Sequence, residues 1–555
     1  MSYKLGTYKL VNMPKYIFVV GGVMSSVGKG VAAASISKII QSRGYRVANI
    51  KCDMYVNIDA GTIRPAEHGE VFVGVDGVEA DQDLGNYERF TDQICTRDNY
   101  ITTGQIYQEV IRRERNLEYG GEDVEVVPDV PNEIIRRIDV CRQKTKAEVM
   151  VIEFGGTVGE FQVLLFLEAA RMMKARMPKD VLFVLVSYLL TPKLLGEQKS
   201  KPTQYAIRTL NSAGINPDFI MCRANDPASE SIKTTISTVC SLPRECIISA
   251  PDVESIYDVP VNFEHEGLGA TMLKTLGLKE RKKNLVDFIT LAKKTKSIKK
   301  GVKIGVVGKY FNYKSCRDTY ISVLESINHA AWINNVKADI IWLDSEEYET
   351  NPAKLKELSG LDGVVVPGGF GARGVEGIIS AIKYVREKNI PFLGLCYGLQ
   401  LATVEFARHV CGIKGATSTE LDPKAEDQVI HTMLDQIEKI QKKDYGATMR
   451  LGSYPCVLKK ESKSFGLYKT AKISERHRHR YEVNNAYRAQ LENKGMLMAG
   501  TSPDNNLVEI IELPKHPFFI GTQFHPEFQS RPLIGHPLFN GFIKASLSKK
   551  ARQAR

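Results

Sequence analysis

Residues 16–31 read Tyr16-Ile-Phe-Val-Val-Gly21-Gly-Val-Met-Ser25-Ser-Val-Gly28-Lys-Gly-Val31, an apolar run that breaks into glycines and reopens as a helical pattern. Tyr16–Val20 is apolar on both faces, which predicts a buried strand of a parallel sheet. The helical pattern runs from Gly28 to Arg43 and stops at Gly44, a residue type suited to the position after a helix end. Between strand and helix, the loop can turn backbone N–H groups and a helix N-terminus toward an anion, with Lys29 as counter-charge. It departs from the G-x-x-x-x-G-K-[ST] pattern: Val23 stands where the first Gly belongs, and Gly30 replaces the metal-binding hydroxyl. A plain glycine turn with a surface lysine would look similar in isolation. Three downstream positions favour a phosphate site: Lys51 after the second strand, Asp83 in DQDLGNYERF, and Glu153 just before Gly155-Gly156-Thr157. Strand-end carboxylates facing such a loop are where Mg²⁺ would be held, because this ion takes hard oxygen ligands and bridges phosphates.

Outward from this loop, strand-like runs at Arg46–Lys51, Glu148–Phe154, Val181–Tyr188 and Asp218–Cys222 alternate with helical segments. The pattern restarts with Val302–Gly308, Ala338–Leu343, Asp362–Pro367 and Ile390–Leu395, and Leu507–Leu513 with Phe518–Phe524 predicts an antiparallel pair. The expected fold class is α/β in both halves. The expected domains are 1–280, a basic linker helix over 281–300, a second domain over 301–547 and a basic tail over 548–555. Leu285, Phe288, Ile289 and Ala292 recur at helical spacing in the linker, which reads as an exposed amphipathic helix.

The 555 residues hold 43% hydrophobic and 25% charged side chains, which excludes a disordered, collagen-like or disulfide-scaffold chain. The net charge of +11 sits in two stretches, 279–300 and 549–555, and the remainder is neutral overall. A nucleic-acid-binding domain would spread its excess over a folded face, so no nucleic-acid partner is expected. Ten scattered cysteines without a CxxC pair suggest a reducing compartment. The longest apolar run, 181–190, is about half the ~20 residues that span a bilayer, so no membrane partner and a cytoplasmic location are expected.

A second motif lies at Gly394-Leu-Cys396-Tyr397-Gly398-Leu399-Gln400, a strand running into a G-x-C-x-G turn and a helix. This is the cysteine counterpart of the G-x-S-x-G elbow, which exposes a nucleophile at a helix N-terminus. A lone cysteine there would more often be a core residue. The segment Gln523-Phe-His525-Pro-Glu527 supplies a base and a carboxylate to orient it, completing a triad by role. The loop Pro367-Gly368-Gly369-Phe370-Gly371 ends a strand and can offer a backbone N–H to an oxyanion. Arg476-His-Arg-His-Arg480 could in isolation be a nucleic-acid patch. Its embedding in RYEVN, without neighbouring excess charge, favours a site arginine.

The ordered set GGVMSSVGKG, DAGTIRPAEHGEVFV, DLGNYERF, TTGQIYQEV, EFGGTVGE, KSKPTQ and DVESIYDVP resembles the synthetase domain of the CTP synthase family, a P-loop amidoligase fold similar to dethiobiotin synthetase. The second half, including ATSTE at 416–420 and ATMRLG at 447–452, resembles class I glutamine amidotransferases. These resemblances imply ATP-dependent phosphorylation of UTP at O4 and displacement of the phosphate by ammonia. The ammonia would come from glutamine through a γ-glutamyl thioester and reach the synthetase by an internal tunnel. They imply that Lys29 and Lys51 stabilise the transferred phosphoryl group and that Asp83 and Glu153 hold Mg²⁺. Ser25 with Lys199, Ser200, Lys201, Pro202, Thr203 and Gln204 would bind UTP. Ser26, Val27, Gly28, Gly30 and Val31, with Pro251, Asp252 and Val253, would bind ATP.

Glu160, Phe161 and Gln162 stand where the family usually has Asp-Ile-Glu against the feedback inhibitor CTP, so Gln162 removes one carboxylate. Lys233 lies seven residues before Cys240 rather than five, at Thr235, which leaves its contact with the pyrimidine open. Cys396, His525 and Glu527 would form the glutaminase triad, Gly369 and Tyr397 the oxyanion donors, with Gly398, Leu399 and Gln400 lining the site. Glu420 and Arg480 would hold the α-amino and α-carboxylate groups of L-glutamine. Tyr397 replaces the leucine usual after the nucleophile, and His68 is either near the ammonia route or structural. GTP as an activator and a homotetramer able to form filaments are further implications. A cobyrinate-type amide synthase and a catalytically silent filament protein are the competing readings. KSKPTQ with DLGNYERF argues against the first, and retention of both sets of reactive residues against the second.

Overall fold

A computed structural model of the chain describes residues 14–22, 24–192, 196–309, 316–442 and 446–553. Val23 and the last two residues of the tail lie outside them. The chain forms two compact units that are not consecutive in sequence. One comprises Met1–Ile58 with Asn86–Lys293, the other Asp59–Gly85 with Lys294–Arg555.

The first unit is built on a seven-stranded sheet, every pairing parallel. Its order in space is Tyr100–Thr102, Val47–Asp53, Val149–Phe154, Lys15–Gly21, Val181–Tyr188, Phe219–Ala224 and Ile247–Pro251. Strands covered on both faces must be apolar on both, and Ile17, Phe18 and Val19 are fully buried. Phe18 packs against Phe154 and stacks on Phe183 across neighbouring strands. The helix after the first strand is Lys29–Ser42, within a residue of the expected bounds, and the Gly44 N–H closes its end on the Gln41 carbonyl at 2.9 Å. Register pairs Glu153 with Val19 on one side and Lys51 on the other. The carboxylate, the lysine and the glycine loop therefore share one end of the sheet, where parallel α/β sheets bind ligands.

The second unit has a nine-stranded sheet. Its parallel part, in spatial order, is Lys337–Asp344, Gly301–Gly308, Gly363–Val366, Phe392–Leu395 and Phe519–Thr522. Val508–Glu512, Leu497–Thr501, Arg450–Leu458 and Lys472–His479 extend it antiparallel. Apolar clusters fill both faces of this sheet. The segment Asp59–Gly85 adds the hairpin Val71–Val73/Glu79–Asp81. Its Glu70 carboxylate accepts from the Ser322 N–H at 3.0 Å, at the start of the helix Ile321–Ile333.

One expectation is corrected. The linker helix spans Val286–Ser297 and is not an exposed hinge: Leu285, Phe288 and Ala292 are buried. Phe288 packs on Phe90 and Tyr257 of the first unit, with the Lys38 ammonium 4.8 Å from its ring. Several of the basic side chains are also paired, Arg281 with Glu148 at 3.0 Å and Lys283 with Glu264 at 2.7 Å. The tail continues a helix, Pro537–Gln553, whose Lys550 donates to the Gly301 carbonyl at 2.5 Å. Replacing Phe288 by Ala should lower stability by about 3–5 kcal/mol, the cost of emptying a packed aromatic site. Chemical denaturation of the full chain measures this; a solvated hinge would give a change below about 0.5 kcal/mol.

Candidate active sites

In the first unit, Gly28 caps the helix Lys29–Ser42 with φ 88°, a left-handed conformation that glycine adopts without strain. Ser25 and Ser26 are exposed at the loop crest, whereas Lys29 is buried and its ammonium donates to the Gly156 carbonyl at 2.8 Å. Lys29 thus ties the glycine loop to the Gly155-Gly156-Thr157 turn. Glu153 is buried at the adjacent strand end, 3.0 Å from the Lys51 ammonium, and accepts a hydrogen bond from the Tyr87 hydroxyl. A buried charge needs such partners, and a carboxylate presented with them offers hard oxygens suited to Mg²⁺. Asp83 begins the helix Asp83–Thr91 and falls in the second unit, its N–H bonded to the Asp81 carboxylate at 2.8 Å.

Beside the loop lies a cavity of about 190 Å³ lined by Gly28, Val31, Pro251, Val253, Asn262 and Phe263. Arg223 closes it: its guanidinium donates to the Ala250 and Pro251 carbonyls at 2.7 and 3.0 Å and pairs with Asp252 at 2.6 Å. Arg223, Asn262 and Phe263 carry no local motif and were not foreseen from the sequence. The helix Lys201–Ser212 opens at KSKPTQ, where Gln204 donates to the Ser200 hydroxyl at 3.0 Å and the Thr203 and Ser187 hydroxyls bond at 2.9 Å. Pro202 sits in the first turn of that helix, Lys201 is exposed and Lys199 pairs with Glu197 at 2.8 Å. Glu160 accepts from the Thr157 N–H at 2.9 Å, while Phe161 and Gln162 are exposed. Lys233 is buried and ion-paired with Glu266 at 2.7 Å, so its ammonium is engaged inside the unit.

In the second unit, the strand Phe392–Leu395 runs into Cys396 and the helix Tyr397–His409. Cys396 has φ 50° and ψ −94°, strained for a side chain with a Cβ, and lies 6% exposed at the helix N-terminus. Gly398 permits the turn, because a Cβ there would collide with the Val366 carbonyl oxygen. His525 Nδ1 is 2.7 Å from Glu527 Oε1, and its Nε2 makes no hydrogen bond among the described residues. Burial depresses the His525 pKa, but the Glu527 carboxylate and the Cys396 thiol charge outweigh it and raise the value to about 10. An imidazolium beside a cysteine is the partner a thiolate requires. The structure therefore brings the three expected triad residues together.

A cavity of about 90 Å³ touches Cys396, His525, Gly369 and Arg478, and also Pro65 and Val71 of the Asp59–Gly85 segment. Gly371 donates its N–H to Glu420 at 2.7 Å, and burial raises the Glu420 pKa. The Gln400 side chain is buried and donates to the Tyr481 carbonyl at 3.1 Å, with Leu399 fully buried one residue before it. Arg480 donates to Gln436 at 2.7 Å and Thr448 at 2.9 Å. The RHRHR stretch is no basic surface: Arg476 and His477 are fully buried, and Arg478 pairs with Glu79 at 2.8 Å. His68 faces Asp81 at 3.6 Å. Lys309, unmarked in the sequence, is buried behind Tyr397, and desolvation lowers its pKa to about 8.

Among the described residues no helix is long and apolar enough to cross a membrane. A family model described as the N-terminus of CTP synthase matches residues 15–278, and one for class I glutamine amidotransferase matches 315–545. CTP synthase of Nostoc punctiforme is 48% identical over 537 residues, covering 97% of both chains. That of Pyrococcus furiosus is 48% identical over 543 residues, covering 97% of this chain and 99% of its own. A solved glutaminase domain of Trypanosoma brucei CTPS with bound acivicin is 37% identical, covers 44% of this chain and 94% of its own, and has a TM-score of 0.42. The chain belongs to the CTP synthase family of glutamine-hydrolysing ligases, which use ATP and glutamine to convert UTP to CTP.

Proposed function

We propose that the chain makes CTP through a 4-phosphorylated UTP intermediate, fed with ammonia by a Cys396–His525–Glu527 glutaminase through an internal tunnel. The observation that carries this reading is the strained Cys396 at a helix N-terminus, lining one cavity with a His525 whose Nδ1 stands 2.7 Å from Glu527. The thiolate of Cys396 attacks the glutamine carboxamide carbon, and His525 gives its proton to the departing nitrogen. Ammonia leaves and a γ-glutamyl thioester remains. Water then attacks the thioester, losing a proton to His525, and glutamate departs. The N–H groups of Gly369 and Tyr397 receive the oxyanion, with Gly398, Leu399 and Gln400 behind them. Glu420 and Arg480 hold the α-amino and α-carboxylate groups. Pro65 and Val71 line the same cavity as the nucleophile, which supports the start of an ammonia route there.

In the synthetase, expected over residues 1–280, the γ-phosphoryl of ATP transfers to O4 of UTP. Ammonia then forms the bond to C4 while the C4–O4 bond breaks and phosphate leaves. Phosphoryl transfer depends on positioned cations, the role of Lys29 and Lys51. Mg²⁺, held by Glu153 and Asp83, would supply Lewis-acid neutralisation of the phosphate charge. ATP occupies the loop Ser26–Val31 and the cavity beside Pro251–Val253 and Arg223. UTP is held by Ser25 and Lys199–Gln204, and CTP as inhibitor by Glu160–Gln162. Activation by GTP, a homotetramer and a cytoplasmic location rest on family membership. The nine cysteines whose side chains are described are free, which fits a reducing compartment.

Incubation with UTP, ATP, Mg²⁺ and glutamine should produce CTP absorbance, and Cys396→Ala should abolish it while keeping the ammonium-driven rate. No CTP from wild type with either nitrogen source overturns the reading. Lys51→Met should cut both rates by about 100-fold or more. The His525 ring should titrate near pH 10 by NMR. Its raised value means the ion pair's contribution to stability is full below about pH 6.5 and is lost as pH rises through about 10. Glu527→Gln should move that titration down and reduce glutaminase kcat by about 100-fold.

A further inference from the structure

Lys309 follows the strand Gly301–Gly308 and is 3% exposed. Its ammonium donates to the Phe370 carbonyl at 3.0 Å and also to the Gly371 carbonyl. The Tyr397 hydroxyl donates to that same Gly371 carbonyl at 2.9 Å, and the Lys309 ammonium stands 4.7 Å from the Tyr397 ring centre. Cation, ring and hydroxyl therefore act on one peptide. On the other side of Gly371, its N–H is bound to Glu420. Gly371 itself has φ 76°, a left-handed turn between these anchors. The Phe370 carbonyl and the Gly371 N–H belong to one planar peptide, so drawing that carbonyl to a buried ammonium also aims the N–H at Glu420, two residues beyond Gly369.

Resting on the glutaminase reading above, we propose that Lys309 and Tyr397 are positioning residues for glutamine hydrolysis. They clamp the Phe370 and Gly371 carbonyls, keep the Gly371 N–H on Glu420, and so anchor the end of the loop whose Gly369 N–H is assigned to the oxyanion. Tyr397 has a double part, its backbone N–H at the oxyanion and its hydroxyl on the loop that supplies the second donor. A leucine there would supply the first and not the second.

The test measures glutaminase kcat and KM, and ammonium-driven CTP formation, in wild type, Tyr397→Phe, Lys309→Met and the double variant of the full chain. Tyr397→Phe should lower glutaminase kcat about fivefold, and Lys309→Met about 30-fold with a raised KM for glutamine. The ammonium-driven rate should stay within about twofold in every variant. Both side chains hold the same carbonyl, so the double variant should lose less than the product of the single losses. Unchanged glutaminase in Tyr397→Phe and Lys309→Met, a multiplicative double loss, or an equal fall in the ammonium-driven rate overturns the clamp. Should Lys309→Met not fold, Tyr397→Phe alone decides, by the same split between nitrogen sources. A wild type that makes CTP from ammonium but hydrolyses no glutamine overturns the glutaminase reading itself.

Discussion

Both candidate sites depend on a glycine backbone approaching its neighbours more closely than a side chain allows. At the elbow, a Cβ on Gly394 would stand 2.8 Å from the Gly398 carbonyl carbon. At the phosphate loop, one on Gly22 would stand 2.6 Å from the Ala206 methyl. In each case a central strand delivers the chain to the carboxyl end of the sheet and a helix carries it away at once. The candidate reactive residues, Lys29 and Cys396, stand where that helix starts. The strain at Cys396 is tolerated because the surrounding sheet and helix are fully packed, Leu395 and Leu399 being completely buried.

The same compression makes the electrostatics effective. Lys29, Lys51, Glu153, Cys396, His525 and Glu527 are all buried in the protein alone. In such places a charge is held by few partners and responds strongly to each. The rise at His525 to about 10, against the pull of burial, is the clearest instance. Lys309 shows the opposite balance, its ammonium weakened by burial despite Glu420 nearby. The candidate glutaminase site thus sets an imidazole whose cationic form a carboxylate favours beside an ammonium held mostly by carbonyl oxygens.

The parallel strands were legible in the sequence because burial on both faces writes an unbroken apolar run. Of the antiparallel extension only Leu507–Leu513 was legible, and it pairs with Phe519–Thr522 as expected; the strands beyond it were not. Lys472–His479 holds Glu475, Arg476 and His477, all buried, and each has a hydrogen-bond partner far along the chain: His536 for Glu475, Val73 for Arg476 and Arg450 for His477. A local reading prices such residues as surface. The linker failed in a related way: its four apolar positions were read, but Phe90 and Tyr257, which cover Phe288, are remote in sequence. The candidate triad was legible because its members sit in motifs with fixed spacing. Lys309 and Arg223 are single cations after or within strands, and nothing beside them marks a task.

The placement of Asp59–Gly85 with the second unit has a consequence for how the molecule is made. A ribosome releases this stretch long before residues 294–555 exist, so it must wait while the remaining strands of the first sheet emerge. The helix that starts near Ser322 has its Glu70 cap supplied from about 250 residues upstream. Contacts of such sequence separation form late, after a large loop has closed. Cutting the gene at the linker would therefore not yield two self-sufficient enzymes. The C-terminal piece would keep its nucleophile and lose both a helix cap and part of the wall around it.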